Sequence, residues 1–488
     1  MLKGRSLFDV VLFAHKGNRG LEKFLDHSQG SEKYHTDSLQ GVLPLPQVNS
    51  QMLLFQTMKM PAWNSLGVKR NPKKFGEGKY QTAKLKYRYL PGSLLNGFWA
   101  IPAVLIIRAL RPFLLIRMGT LNSGRAGHFV ADTAEQMARL KQQPSNTVDW
   151  FWLGKTCNGH WERMVRRSLP VFSWVKYLDL WNKVLPGGSI HSRPSTYTVS
   201  RDVEGLYERH DVKMPFLPAE TNEALAWLRT KGWRDGEPFV CLLVRDAEYL
   251  ANDSLHGNGS TDAYEQWSYH DYRDSSIKTY LPAVQWLACQ GVWVIRMGKL
   301  MAEPLPTGMA HVIDYAFEPD KSDLLDIWLF ANCSGCISTG TGLDQVSVIY
   351  GVPILFVNFI PLASTFSYAH SITVPKPLRW AKSGKPLTPS ELLHNDFGYS
   401  SEYEDRGIEI VDLSAGELTL AVQEFWQRRI GSWNETAANE YRQNALYNEF
   451  VRWSGFDRIH GWRHPESRFG EAWLRSNWHE SDDSTWKT

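Results

Sequence analysis

A run of small polar residues follows the apolar tripeptide "GCI" and precedes a helix-like pattern: Ser338, Thr339, Gly340, Thr341 and Gly342. The two glycines let the backbone approach a ligand closely, and free N–H groups at the start of a helix favour an anion. The hydroxyl groups add further donors. No Lys follows the glycines, so the run is not a Walker loop. It fits either a phosphate site or a Thr N-cap with glycine turns.

A second charged pair, Arg245 and Asp246, follows the apolar run "FVCLLV". A guanidinium at such a place can bind two phosphate oxygens. Asp246 can orient that guanidinium or bind a sugar hydroxyl. A purely structural Arg–Asp pair at the edge of a sheet is the alternative.

Two further apolar runs are followed by polar residues. Arg296 and Lys299 come after "VWVI" and supply basic groups at an equivalent place. Asp314 and Tyr315 come after "HVI" and suit hydrogen bonding and stacking with a nucleobase or ribose. We expect these four residues to contribute to the same nucleotide site.

A Gly-rich turn in the first part of the chain opens a predicted helix with Arg125, Gly127 and His128. At a helix N-terminus facing a cleft, His128 would favour its neutral form, as a general base requires. Asp132 lies one turn further on, and together with Asp246 it is an alternative base. A capping or packed histidine fits the same position.

The loop 267–275 contains His270, Asp271, Tyr272 and Arg273 without apolar periodicity. It could be a metal site, an acceptor-binding loop or an exposed turn. A metal needs converging ligands, which the spacing alone does not supply, so we favour the acceptor loop or turn. No Asp-x-Asp motif follows a strand, and we expect no metal and no cofactor.

Alternating strands and helices are predicted to position these residues. Continuous apolar strands between amphipathic helices indicate parallel sheets covered on both faces. Two such series predict an α/β chain with two facing Rossmann-like domains and a ligand at the carboxyl ends of their strands. The predicted strands are 112–118, 148–154, 195–199, 239–245, 292–297, 311–314, 335–338 and 353–357. The predicted helices are 103–111, 126–141, 276–289, 322–332 and 343–350.

The expected domain order follows from the same pattern. Residues 1–97 form an irregular, basic N-terminal extension, and 98–222 and 223–430 form the two Rossmann-like domains. Residues 431–488 form C-terminal helices and a polar tail whose last ten residues are expected to be disordered.

Charge is unevenly distributed along the 488 residues, whose net charge is +3. The first hundred residues contain 15 Lys and Arg against 6 Asp and Glu, and eight of these basic residues lie within 69–88. That segment could bind anionic lipid or nucleic acid, or could be a solvated arm. Because the rest of the chain is slightly acidic, we expect no nucleic-acid partner.

The most membrane-like segment is 98–119, which three arginines interrupt and Pro112 divides. An interfacial helix followed by a buried strand fits it better than a bilayer span, although both parts could simply pack in the core. No signal-peptide pattern is visible. The odd number of cysteines, five in apolar surroundings, favours reduced thiols and a cytoplasmic protein.

Five ordered motifs resemble a family of bacterial glycosyltransferases of surface-carbohydrate biosynthesis. They are "LIRMGTLNSGRAGHFVADT", "CLLVRDAEYL", "HDYRDSSIKTYLPAVQWLACQGVWVIRMGK", "IDYAFEPDKSDLLDIWLFAN" and "STGTGLDQVSVIYGVPILFVNFIPL". The similarity covers roughly residues 100–365, with a weaker echo at 467–474, and it implies a GT-B-like fold.

The chain also resembles, more distantly, the fucosyltransferase-type GT-B enzymes. That resemblance implies that Arg245 contacts a nucleotide diphosphate, that 338–342 is the phosphate turn, and that His128 faces the reaction centre. This chain has Val244 before Arg245 and Asp246 after it, where that family has a His and a Gly–Asp. The identity of the donor and the stereochemistry therefore do not carry over.

The resemblance implies a transferase that moves a sugar from a nucleotide diphosphate sugar to a surface polysaccharide or lipid-linked glycan. In this scheme the donor is bound by Arg245, Arg296, Lys299, Asp314, Tyr315 and the turn 338–342. The acceptor is bound by Arg125, Gly127, His270, Asp271 and Arg273. The protein would be cytoplasmic, with a peripheral contact to the inner membrane. A nucleotide-sugar epimerase and a non-catalytic glycan-binding or assembly protein are the alternatives.

Overall fold

The computed structural model describes residues 90–198, 201–246, 248, 268–460 and 463–477. The basic segment 69–88 and the last ten residues, for which predictions are made above, lie outside the described residues. The described chain is α/β, and its strands form two parallel sheets and one small antiparallel pair.

The first half contains a three-stranded parallel sheet in the order β2-β1-β3. Its strands are β1 (Leu115–Leu121), β2 (Thr147–Leu153) and β3 (Ser192–Arg193). Its helices are α1 (Leu90–Ala109), α2 (Ala126–Gln142), α3 (Gly159–Ser168) and α4 (Val175–Val184). Two short helices, α5 (Leu206–Arg209) and α6 (Pro218–Thr230), lead to the second half.

The predicted strand 195–199 is wrong. The third strand is Ser192–Arg193, which pairs with Met118 and Gly119 of β1. Pro194 follows at once and has no N–H with which to continue the ladder. The backbone N–H of Tyr197 donates to Glu135 instead of to a strand.

Two boundaries in the first half also differ from the predictions. Helix α1 begins at Leu90, inside the extension predicted to be irregular, and it includes Pro102. Strand β1 begins at Leu115 rather than 112, because a turn closed by the bond from Phe113 N to Leu110 O ends the helix first.

The second half contains a seven-stranded sheet, parallel throughout, in the order β12-β9-β8-β7-β4-β5-β6. The strands are β4 (Phe239–Leu243), β5 (Trp293–Arg296), β6 (Val312–Ile313), β7 (Gly335–Ser338), β8 (Ile354–Phe359), β9 (Ser371–Pro375), β10 (Leu378–Trp380), β11 (Ile408–Ile410) and β12 (Arg468–Phe469). Strands β10 and β11 form the separate antiparallel pair.

The helices of the second half are α7 (Leu281–Cys289), α8 (Asp323–Asn332), α9 (Asp344–Ile349), α10 (Pro389–His394), α11 (Ser400–Asp405), α12 (Ala415–Arg429), α13 (Ala437–Arg452), α14 (Phe456–Ile459) and α15 (Glu471–Asn477). The first three correspond in order to the predicted helices 276–289, 322–332 and 343–350, whereas α10 and α11 were not predicted. The C-terminal segment is not purely helical, because β12 adds a strand to the sheet beside β9.

The two halves share one apolar core. Every residue of β4 is buried, as the continuous apolar pattern predicts for a central parallel strand. Cys241 packs in the same cluster as Phe129 and Phe151 of the first half, whereas Val240 and Leu242 face a second cluster. Alternate residues of β4 therefore point to opposite faces of the sheet. One set packs against the first half, and the other set packs against the helices on the far face of the sheet.

Segments that follow strands of both sheets line one cavity between the halves. This arrangement of two parallel-sheet α/β halves around a common cavity is GT-B-like, and the predicted fold class is confirmed. Among the described residues, no helix is both long enough and apolar enough to cross a membrane.

Candidate functional site

The cavity between the halves has a volume of about 400 Å³. This volume lies within the range that proteins use for small ligands. Its lining comes from the loops after β1, β2, β4, β5 and β7, with single residues from elsewhere. The lining segments are 125–128, 157–158, 243–246, 298–301 and 340–345, together with Arg201, Arg273, Asp326 and Phe366.

The predicted phosphate turn lies at the carboxyl end of β7. Ser338 Oγ donates to Asp344 Oδ2 over 2.8 Å and accepts from the backbone N–H of Gly340 over 3.1 Å. Gly340 has a φ of +76°, which favours glycine. Within the described residues the buried Thr341 Oγ1 has no hydrogen-bond partner. The turn therefore contains an unsatisfied hydroxyl group, in a residue that lines the cavity.

The buried carboxyl group of Asp344 holds the turn in place by accepting the hydrogen bond from Ser338. Burial raises the pKa of this carboxyl group to about 6, against the hydrogen bonds from Ser338 and Gln345 that lower it. Asp344 starts helix α9 directly after the turn and is almost completely buried. Its role is therefore to fix the turn rather than to contact a ligand.

The phosphate turn touches the opposite half through glycine backbones. A Cβ added to Gly342 would lie 2.8 Å from Gly127 N, and one added to Gly127 would lie 2.9 Å from Gly342 Cα. Both distances are too short for real side chains. The two Gly-rich segments that the sequence singles out thus meet each other across the cleft.

Arg245 lies at the same edge, beside the turn. Its backbone N–H donates to Thr339 Oγ1 over 3.0 Å, and its Nε donates to Asp274 Oδ1 over 2.8 Å. The sequence prediction gave the orienting role to Asp246, but Asp274 has it. Arg245 also lines the cavity.

Arg273 supplies a second guanidinium at this place. Its Nη2 donates to Gly340 O over 2.6 Å, so the side chain lies against the phosphate turn. Burial lowers the pKa of Arg273, and the neighbouring charge of Arg245 lowers it further. Arg273 was predicted to bind the acceptor, but its position suits the anion. Two cations this close favour an anionic ligand between them.

Asp271, which was also predicted to bind the acceptor, does not join the site. Asp271 is exposed and is not among the residues that line the cavity. The side chain of His270 lies outside the described part of the chain.

Asp246 lines the cavity, but both carboxylate oxygens accept backbone hydrogen bonds. Oδ1 accepts from Glu248 N over 3.1 Å, and Oδ2 accepts from Ala302 N over 3.0 Å. The residue thereby fixes the loop after β5, which carries the exposed Lys299 to the cavity wall. Asp246 is poorly placed to act as the base that the sequence suggested.

Arg296 and Asp314 are not among the residues that line the cavity, which contradicts their predicted contact with the donor. Arg296 is 1% exposed, and its Nη1 donates to Glu303 O over 2.7 Å and to Asp314 Oδ1 over 3.3 Å. Asp314 Oδ2 accepts from Leu305 N over 2.7 Å. The pair joins two strands and a loop, and neither residue lines the cavity.

Tyr315 is also buried, so it does not stack against a nucleobase in the cavity. Its hydroxyl donates to Asp326 Oδ1 over 2.8 Å. Asp326, on helix α8, does line the cavity, and burial raises its pKa to about 6. The sequence prediction missed Asp326, because it is one acidic residue in the first turn of an amphipathic helix, where acids are common.

The first half contributes Arg125, Gly127 and His128 to the cavity, all from the start of α2. Burial lowers the pKa of His128, and the charge of Arg125 lowers it further. Both effects favour the neutral form of His128. Asp132 is fully buried, accepts from Asn122 Nδ2 over 2.7 Å and does not line the cavity, which contradicts its proposed role as a base.

Among the described residues, no three His, Cys, Asp or Glu side chains are grouped so that they could bind a metal ion. Cys241, Cys333 and Cys336 are buried free thiols in the core. Operation without metal remains a prediction.

No protein-family model and no curated protein matches the sequence. Among solved structures, a family 9 glycosyltransferase from Veillonella parvula is 10% identical over 54% of this chain and 86% of its own, with a TM-score of 0.34. Escherichia coli ADP-heptose lipopolysaccharide heptosyltransferase II is 9% identical over 64% of this chain and 100% of its own, with a TM-score of 0.38. The iron-containing dodecameric glycosyltransferase TibC of enterotoxigenic E. coli is 12% identical over 65% and 77%, with a TM-score of 0.33. Because these TM-scores lie below 0.5, the GT-B-like description depends on the two sheets and their shared cavity.

Proposed function

We propose that the protein is a glycosyltransferase that moves a sugar from a nucleotide diphosphate sugar to a hydroxyl of a glycan acceptor. The observation that carries the proposal is the convergence of Arg245 and Arg273 on the turn 338–342 at the wall of a cavity shared by both halves. A cavity with walls from both halves can hold a donor against one half and an acceptor against the other.

The diphosphate is the leaving group in this reaction. Negative charge builds up on it in the transition state, so donors that are already oriented stabilise the transition state more than the ground state. Arg245 is oriented by Asp274, and Arg273 by Gly340 O. The hydroxyl of Thr341 completes this set of donors.

The start of α2 would face the acceptor. Arg125, Gly127 and His128 all line the cavity there and would bind the acceptor. Two guanidinium groups supply the charge stabilisation that a divalent cation gives in other transferases. We therefore propose operation without metal and without any cofactor other than the sugar nucleotide.

A panel of nucleotide diphosphate sugars, measured by thermal unfolding of the full chain, tests the proposal. At least one member should raise the midpoint of unfolding in a concentration-dependent way. No stabilisation by any member would exclude both a transferase and an epimerase and would favour a glycan-binding or assembly protein.

Product analysis with the stabilising donor separates the two enzyme classes. A transferase converts the donor to nucleoside diphosphate and extends an added glycan or lipid-linked acceptor. An epimerase changes the sugar of the nucleotide when no acceptor is present, and that result would contradict the proposal.

We further propose that the acceptor is reached from the cytoplasmic face of a membrane. Helix α1 packs on the first half through Ala100, Val104 and Ile107. Its opposite side exposes Phe98, which is 81% exposed, and the turn after the helix exposes Phe113 to the same extent. Leu105, Ile106 and Leu110 are exposed between them. The basic segment 69–88 precedes this apolar stripe and would attract anionic lipid.

Sedimentation of the full chain with phosphatidylcholine vesicles, with and without phosphatidylglycerol, tests this contact. Replacing both Phe98 and Phe113 with Ser should abolish binding to the anionic vesicles. The control Val451→Ser alters another exposed apolar residue and should leave binding unchanged. Equal binding by the double variant and the wild type would contradict the membrane contact.

A further inference from the structure

Asp326 is a carboxylate of the cavity wall that the proposed function does not yet use. It lies in the first half of helix α8, whose N-cap is Ser322. The hydroxyl of Tyr315 donates to Oδ1 over 2.8 Å and fixes the orientation of the carboxyl group. Among the described residues, no hydrogen bond to Oδ2 is formed. One oxygen is therefore positioned by the protein while the other can meet a ligand.

The surroundings of Asp326 place the pKa of its carboxyl group near neutral pH. Burial raises its pKa to about 6, and the neighbouring carboxylate of Asp323 raises it as well. The hydrogen bond from Tyr315 and the charges of Lys321 and Lys299 lower it. A base with a pKa just below the working pH is mostly ionised and still accepts a proton effectively.

The opposite wall near Asp326 comes from the first half of the chain. Asn158 Nδ2 donates to Asp323 O over 3.0 Å, and Gly159 N donates to Asp323 Oδ2 over 2.6 Å. These bonds hold the start of α3 against the start of α8. Asp323, which accepts both bonds, lies one helical turn before Asp326. A hydroxyl group entering between the halves therefore meets the carboxylate of Asp326 at the cavity wall.

We propose that Asp326 is the general base that accepts the proton of the acceptor hydroxyl. This inference rests on the proposed glycosyl transfer and identifies the group that activates its acceptor.

The step balances without any further reactant. The acceptor oxygen forms a bond to the anomeric carbon of the donor sugar, and its proton moves to Asp326 Oδ2. The bond from the anomeric carbon to the diphosphate oxygen breaks, and its electron pair leaves with the diphosphate toward Arg245 and Arg273. Proton release to water returns Asp326 to the carboxylate.

The other candidates are less well placed for this role. Asp132 is buried away from the cavity, and both oxygens of Asp246 accept backbone hydrogen bonds. His128 follows Gly127, which touches the phosphate turn, and it lies beside Arg125. A position at a positive helix end next to a guanidinium weakens a base.

The variant Asp326→Asn keeps the shape of the side chain and removes its basicity. We expect kcat for transfer to fall by roughly 10²–10⁴-fold, the usual contribution of a general base, while the Kd for the nucleotide diphosphate stays within about twofold of wild type. The control Asp320→Asn removes an exposed carboxylate that bonds Lys231 at the surface and should leave kcat unchanged.

The pH profile gives an independent readout. For the wild type, kcat should rise with pH through a value of about 6, because Asp326 must lose its proton before it can act. Tyr315→Phe removes a hydrogen bond that lowers this pKa, so the same rise should move to higher pH. A purely structural role of Tyr315 would reduce activity without moving the profile.

The outcomes separate this assignment from the proposed function. If the wild type transfers sugar and Asp326→Asn retains its kcat, Asp326 is not the base, although the transferase stands. If the wild type binds nucleotide sugars but transfers nothing, the proposed function fails and this inference fails with it. Loss of kcat in His128→Asn together with full activity in Asp326→Asn would give the role to His128.

Discussion

Strands β4 and β5 are neighbours in one sheet, and an arginine stands at or just beyond the end of each, yet the two arginines have different surroundings. Leu242 of β4 is opposite Arg296 of β5 in the register. Arg245 follows Leu242 by three residues, so it lies beyond the end of β4. Arg296, in contrast, is the last residue of β5. Arg245 lines the cavity, whereas Arg296 lies at the level of the core.

A different residue corresponds to Arg245 in position along the chain. Lys299 follows Arg296 by three residues, as Arg245 follows Leu242, and Lys299 does line the cavity. The partner of Ile295 is Ile313, so Arg296 is level with Asp314, with which it forms an ion pair. Distance from the sheet edge, rather than residue type, decides which charged group meets a ligand.

The largest effect is expected for Arg296→Met, on stability rather than on binding. The change leaves Asp314 with an unpaired, largely buried carboxylate, which costs about 3 kcal/mol or more in free energy of unfolding. Urea unfolding measures this loss. At a temperature where the variant is folded, its affinity for the nucleotide diphosphate should equal that of wild type, and a weakened affinity would place Arg296 in the site after all.

Arg245→Gln should affect nucleotide binding more than stability, the reverse of Arg296→Met. The variant loses one charge-assisted contact to the diphosphate, worth about 2 kcal/mol, so the Kd should rise roughly 30-fold. The free energy of unfolding should fall less than in Arg296→Met, because the Arg245 side chain is 15% exposed and that of Arg296 is 1% exposed. Titration calorimetry with the stabilising nucleotide measures the Kd, and an unchanged value would remove Arg245 from the site.

Gly342→Ala tests the contact beyond the sheet edge. The new methyl group would lie 2.8 Å from Gly127 N, a backbone atom that cannot move alone, so overpacking should cost roughly 1–3 kcal/mol and separate the halves. The control Gly398→Ala adds a methyl group with no heavy atom within 4 Å. Equal thermal midpoints for the two variants would show that the halves do not meet as tightly as described.

Lys299→Gln should have the smallest effect of the four. Its side chain is exposed, so the loss of its charge should weaken nucleotide binding by about 1 kcal/mol or less, and less still at high salt. A salt series of binding measurements checks both statements. An effect as large as that of Arg245→Gln would mean that the two equivalent positions contribute equally.

Local patterns were sufficient for most of the fold. Apolar strands such as Phe239–Leu243 and the helix after Ser322 follow from periodicity and capping alone. The misplaced strand near Pro194 shows where the pattern was too short to exclude a loop. The site needed non-local information, because Asp274 meets Arg245 across 29 positions and Asp326 enters the cavity only through the packing of a helix.

The backbone contact between Gly127 and Gly342 limits how the two halves can move. Polypeptide main chains in van der Waals contact cannot approach further, and no side chain lies between them that could rotate out of the way. At this point the halves have reached their minimum separation. At this contact the cleft can therefore change only by widening or by sliding of the two glycine segments past each other.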